Sequence, residues 1–123
     1  MFAYNKIKDE IDADCFAEQA KRNRILEYSN DEFMVRVPMT PQDVIQEATA
    51  QHNCLRSYLT RIKEGASRVV FIRKKDEPDR AYVTAEVNAY NHLVQVKGFA
   101  NSNPTGAKLR KFIADWKRVK ALT

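Results

Sequence analysis

Four consecutive apolar residues, Val69-Val70-Phe71-Ile72, constrain this chain more than any other feature. Neighbouring side chains on a strand point to opposite faces, so a strand over residues 68–74 that buries all four must be covered on both sides. Two further runs follow at short spacing. Residues 81–88 set Val83, Ala85 and Val87 on one face and Tyr82, Thr84 and Glu86 on the other. Residues 92–99 alternate Val94 and Val96 against Leu93, Gln95 and Lys97. The turns between these runs, residues 75–79 around Pro78 and then Tyr90-Asn91, are short, which predicts an antiparallel meander. Upstream, Phe33, Val35 and Val37 alternate with Met34 and Arg36 in a half-buried strand that stops at Pro38. Tyr28-Ser29-Asn30-Asp31 before it reads as a turn.

The remaining segments carry the helical period. Residues 5–24 place Ile7, Ile11, Cys15 and Phe16 at helical spacing among charges. Thr40, Pro41 and Asp43 form a helix start, with a capping box and proline at the first position. From there Val44, Ile45, Ala48, His52, Leu55, Leu59 and Ile62 make one apolar stripe that Gly65 terminates. The weak helix formers Thr49, His52 and Asn53 mark where that helix can break. The last segment sets Leu109, Phe112, Ile113, Trp116 and Val119 on one side and its cations on the other. The expected architecture is α+β: a four-stranded, mostly antiparallel sheet packed by three or four helices.

A length of 123 residues suits one domain, with residues 1–30 as an N-terminal helical extension and 31–123 as the core. Hydrophobic residues at 44% and charged ones at 30% match a globular chain rather than a disordered one. A chain this long buries about two thirds of its unfolded surface and so needs neither disulfide nor metal. Its two cysteines are too few for a disulfide scaffold. Lys6, Lys8, Asp9, Glu10 and Asp12 break up the opening residues, and no apolar run reaches membrane-spanning length. These features predict a cytoplasmic protein with no membrane partner.

Charge is unevenly placed. Residues 1–32 carry five basic and eight acidic side chains, whereas residues 33–123 carry sixteen and eight. The densest basic cluster is Lys108, Arg110, Lys111, Lys117, Arg118 and Lys120, against Asp115 alone. A concentrated positive field attracts polyanions, provided that it is continuous.

The run Gln51-His52-Asn53-Cys54-Leu55-Arg56-Ser57-Tyr58 is the sharpest local feature. A thiolate nucleophile with an imidazole base needs the two within hydrogen-bond reach. Positions two apart on a continuous helix point roughly 200° apart, so only a break could bring His52 and Cys54 together. Zinc needs about four ligands. With only Cys15 and His92 left to help, neither a metal nor another cofactor is expected. The plain alternative is that Cys54 packs as a small apolar residue, Tyr58 beside it, with His52 at the edge of the core. Glu86, in mid-strand, must face solvent or be paired, and Arg73 and His52 are the obvious partners. A pocket holding His52, Arg73, Thr84, Glu86 and Gln95 would suit a polar ligand, although a solvated sheet face explains the same alternation.

These residues resemble the PcfJ-like domain, found in proteins of conjugative plasmids and phages. The resemblance rests on Arg36-Val37-Pro38, His52-Asn53-Cys54-Leu55-Arg56-Ser57-Tyr58, Ile62 with Gly65, and Phe71-Ile72-Arg73-Lys74. It continues through Asp76-Glu77-Pro78-Asp79, Thr84-Ala85-Glu86-Val87, Gln95 with Gly98, and Asn101-Ser102-Asn103, in order, over about residues 27–118. Leu55-Arg56 stands where the family commonly has Val-Gly, so Arg56 would fill or recharge any space that the glycine leaves. The resemblance implies a mobile-element setting and a shared set of pocket residues: His52, Cys54, Ser57, Tyr58, Arg73, Thr84, Glu86 and Gln95.

Three functions follow. The first is a non-catalytic accessory protein of a plasmid or phage, associated with nucleic acid through Lys108, Arg110, Lys111, Lys117, Arg118 and Lys120. The second is an inhibitor of a host defence nuclease complex, anti-CRISPR-like, with Asp9, Glu10, Asp12, Asp14 and Glu18 imitating phosphates. The third is an enzyme in which His52, Cys54 and Glu86 act on a polar substrate, with Arg56 lowering the thiol's pKa. No second catalytic signature accompanies the pair, and the sequence favours a non-catalytic role.

Overall fold

The computed structural model describes the backbone of residues 2–123 and the side chains of residues 13–123. Four helices and five strands follow in the order α1 (Phe2–Asn23), β1 (Tyr28–Ser29), β2 (Phe33–Arg36), α2 (Pro41–Gln51), α3 (Leu59–Lys63), β3 (Ser67–Lys74), β4 (Val83–Asn88), β5 (Leu93–Lys97) and α4 (Ala107–Val119). All five strands pair antiparallel in chain order, with β3 at the centre. The α+β class holds, but the sheet has five strands rather than four.

The additional strand comes from the segment read as a turn. The side chain of Asn30 accepts the amides of Glu32 and Phe33 at 2.9 and 2.8 Å, an Asx turn that reverses the chain two residues later than expected. Tyr28 and Ser29 are thereby free to pair with Val35 and Met34.

The central strand is covered on both faces, as its four apolar residues require. Val70 and Ile72 point to a layer closed by α4 through Leu109, Phe112 and Trp116. Val69 and Phe71 point the other way, against Phe16 of α1, Val44 and Ala48 of α2, Leu55, and Ile62 of α3. The indole nitrogen of Trp116 donates to the Leu26 carbonyl at 2.8 Å, tying α4 to the exit of α1. Among the described side chains of α1 the buried row is Phe16, Ala20 and Asn23, and Cys15 lies exposed beside it. Ile7 and Ile11 lie outside the described side chains.

Local geometry follows the chemistry of the caps. Thr40 Oγ1 accepts the Asp43 amide, and the Asp43 carboxylate accepts the Thr40 amide, each at 3.2 Å. Helix α2 ends at His52, which adopts a left-handed conformation (φ 51°), so the single long stripe is divided into α2, a 3-10 turn over Leu55–Tyr58, and α3. Gly65 then terminates α3 at φ 80°. A bulge between Glu86 and Val87 shifts the register with β5. Leu93 therefore joins Val96 in the core, and Val94, expected beside Val96, is exposed.

Candidate functional site

The break after α2 determines what the His-x-Cys motif can do. Because the chain turns at His52, Cys54 and Tyr58 come to lie over the edge of the sheet where β4 meets β5. There they border a cleft of about 280 Å³ together with Thr84, Glu86, Gln95 and Lys97. Thus five of the eight pocket residues named from sequence (Cys54, Tyr58, Thr84, Glu86 and Gln95) converge. Three do not. His52 is turned away, its ring 4.8 Å from that of Phe99. Ser57 is exposed, and its hydroxyl donates to the Cys54 carbonyl at 2.8 Å. Arg73 points beneath α2.

Glu86 is only 4% exposed, and its partners differ from those expected. Its carboxylate accepts the Ser67 hydroxyl, the Gln95 amide at 3.0 Å and, at 3.5 Å, the Arg61 guanidinium. Arg73 instead forms a bidentate pair with Glu47, at 2.7 and 2.6 Å. The reason lies in the sheet face: Arg73 shares it with Phe71, under α2, and Glu47 is the acidic residue that α2 presents there. Sequence reading missed Glu47, Arg61 and Ser67, although the alternation that places Glu86 and Ser67 on one face was available. Arg56, exposed, does not line the cleft and so leaves it open.

The cleft offers both apolar walls, from Leu55 and Val69, and polar groups of both kinds. Gln95 Nε2 lies 3.4 Å from the Tyr58 hydroxyl, and Arg61 stacks over the Tyr58 ring at 4.9 Å. Thr84 is 8% exposed, and its hydroxyl has no hydrogen-bond partner. Cys54 is exposed at the rim, and no hydrogen bond joins it to His52.

On the opposite side of the sheet, α4 turns its cations to solvent in two rows. Lys108, Lys111 and Arg118 share one row with Asp115, and Arg110 and Lys117 share the other. Lys108 reaches Glu32 at 3.5 Å, and Asp115 takes both Lys111 at 3.2 Å and Arg118 at 3.5 Å. Hydrogen bonding from Lys111, with Arg118 adding to it, holds the Asp115 carboxyl below its ordinary pKa, so it stays ionised at neutral pH. Arg110, Lys117 and Lys120 have no side-chain partner among the described residues. Two further basic residues lie near the ends of the helix in the fold. At one end the backbone amide of Lys75 donates to the carbonyl of Glu32, the residue whose carboxylate Lys108 reaches. At the other, Arg68 holds the Asn88 carbonyl close to where Thr123 bonds Asn91. Of the acidic residues expected to imitate phosphates, Asp14 and Glu18 are exposed on α1, and Glu18 pairs with Lys21. The side chains of Asp9, Glu10 and Asp12 lie outside the described residues.

Fold and surfaces together define an α+β domain with helices on both sides of an antiparallel sheet, a basic helical face on one side and a motif-lined cleft on the other. A family model for PcfJ-like protein matches residues 2–113, and the chain belongs to that family. No curated protein and no solved structure matches it. No helix among the described residues is long and apolar enough to cross a membrane.

Proposed function

We propose that this chain is a non-catalytic, nucleic-acid-associated protein acting in the plasmid or phage setting that the family resemblance implies. The observation that carries the reading is the cationic face of α4: over a helix about 20 Å long it carries Lys108, Arg110, Lys111, Lys117 and Arg118, and Arg110, Lys117 and Lys120 have no side-chain partner among the described residues. Two acidic side chains, Glu32 and Asp115, offset part of this charge. About four phosphate contacts remain, enough for affinity to fall about a hundredfold between about 50 and about 200 mM salt. Anisotropy titration of a labelled oligonucleotide tests this. Replacing Arg110 and Lys117 by glutamate should weaken binding and flatten the salt dependence by about two contacts. Asp115→Asn should do the reverse, because it frees Lys111 and Arg118. Absence of binding at low salt, or binding indifferent to salt, overturns the reading.

A second reading is favoured by the orphaned Thr84 hydroxyl: the cleft beside Cys54 recognises a small polar ligand. A buried hydroxyl without a partner costs about 1–3 kcal/mol. Thr84→Val, which keeps the shape, should therefore stabilise the unliganded protein by about 1 kcal/mol in urea denaturation. A loss of stability would mean that the hydroxyl is already satisfied and is not held for a ligand.

A further inference from the structure

Beside the start of α4 lies a groove of about 730 Å³, separate from the Cys54 cleft and bordered by Lys74, Arg80, Tyr82, Phe99, Ser102 and Thr105. We infer that this groove takes the unpaired bases of a single-stranded nucleic acid, with Phe99 as the stacking platform and the cations of α4 holding the adjoining phosphates. The inference rests on the nucleic-acid reading above and adds the form of the ligand.

Phe99 is 56% exposed and lies on the border of the groove, where its face is open to a ligand. It is also held in place. His52 packs against it, and the next two residues, Ala100 and Asn101, are both left-handed, at φ 52° and 61°. Gly98, just before it, is closely approached: a Cβ there would lie 2.9 Å from the Ser102 hydroxyl, which would have to turn aside. The ring is therefore presented by a tightly folded loop.

The polar groups fit a base and its phosphates. Gln51 also borders the groove; it is 2% exposed, and its Nε2 has no hydrogen-bond partner, leaving a donor for an acceptor on a base edge. Lys74 lies over the Tyr82 ring at 4.7 Å, and Arg80 stands 3.6 Å from Glu77, the acidic residue of the lining. The groove also runs into the basic helix. Thr105 borders it, α4 begins two residues later, and Lys108 in its first turn is exposed. In a duplex both faces of every base are already stacked, so an exposed ring beside a basic track suits unpaired bases.

The test compares labelled dT and rU oligonucleotides of about ten residues with a duplex of the same length, at low salt, by anisotropy. The expected result is tighter binding of at least one single strand. Phe99→Ala should weaken single-strand binding about tenfold, as loss of one stacked base would, and leave duplex binding unchanged. Phe99→Trp should keep single-strand affinity, its exposed indole being quenched on binding, whereas Trp116 is buried. Equal binding of duplex and single strand, or indifference to Phe99→Ala, overturns the inference and leaves the broader reading standing. No binding of any of the three overturns both.

Discussion

Glu47→Ala should cost about 3–5 kcal/mol of unfolding free energy, a large share of what a domain of this size possesses. The pair of Glu47 with Arg73 is doubly hydrogen-bonded, with side chains only 3% and 8% exposed. Deleting the carboxylate leaves a guanidinium under α2 with the Phe71 ring, 5.0 Å away, as its remaining neighbour in the core. The penalty is that of an uncompensated buried charge rather than the value of the pair itself. Glu47→Leu combined with Arg73→Met should accordingly recover most of the loss, because matched apolar side chains avoid desolvating either ion. Urea denaturation of the single and double variants checks both statements. A single variant within about 1 kcal/mol of the parent would show that water reaches the pair.

Trp116→Ala is expected to be comparably damaging, about 3–5 kcal/mol. The indole is fully buried, contacts the layer formed by Val70 and Ile72, and donates to the Leu26 carbonyl. Trp116→Phe separates the two contributions: it keeps most of the apolar volume and orphans the carbonyl, at a cost of about 1–3 kcal/mol. Far-UV circular dichroism during thermal unfolding reads both. If alanine costs no more than phenylalanine, the packing of α4 is looser than its burial implies.

Much of this fold was legible in the sequence because the strongest periodicities coincide with the deepest burial. Val69 to Ile72 demanded two covering layers, and both are present. The stripe of Leu109, Phe112 and Trp116 placed α4, and Thr40 with Asp43 placed the start of α2. What escaped depends on side chains meeting across long separations. The extra strand hangs on a bidentate Asx turn at Asn30, a feature that composition shares with ordinary turns. The bulge at Val94, left over between the Glu86–Gln95 and Val87–Leu93 pairs, changes which residues of β5 face inward, because one extra residue inverts a period of two. In the motif, the left-handed His52 sends its ring toward Phe99 and lets Cys54 reach the sheet edge, so the two part company although only two positions separate them. Glu47 was invisible because a glutamate on a helix is normally solvated; only the docking of α2 over Arg73 makes it an interior residue.

The link between Trp116 and Leu26 spans ninety positions in the chain. During synthesis, the sheet face of Val70, Ile72, Val83 and Ala85 therefore stays bare until residues 109–122 leave the ribosome and fold over it. Translation in that interval yields a nascent sheet with an uncovered greasy side. Any delay between the emergence of β4 and that of residues 109–122 would expose the chain to chaperone capture or clumping for as long as it lasts.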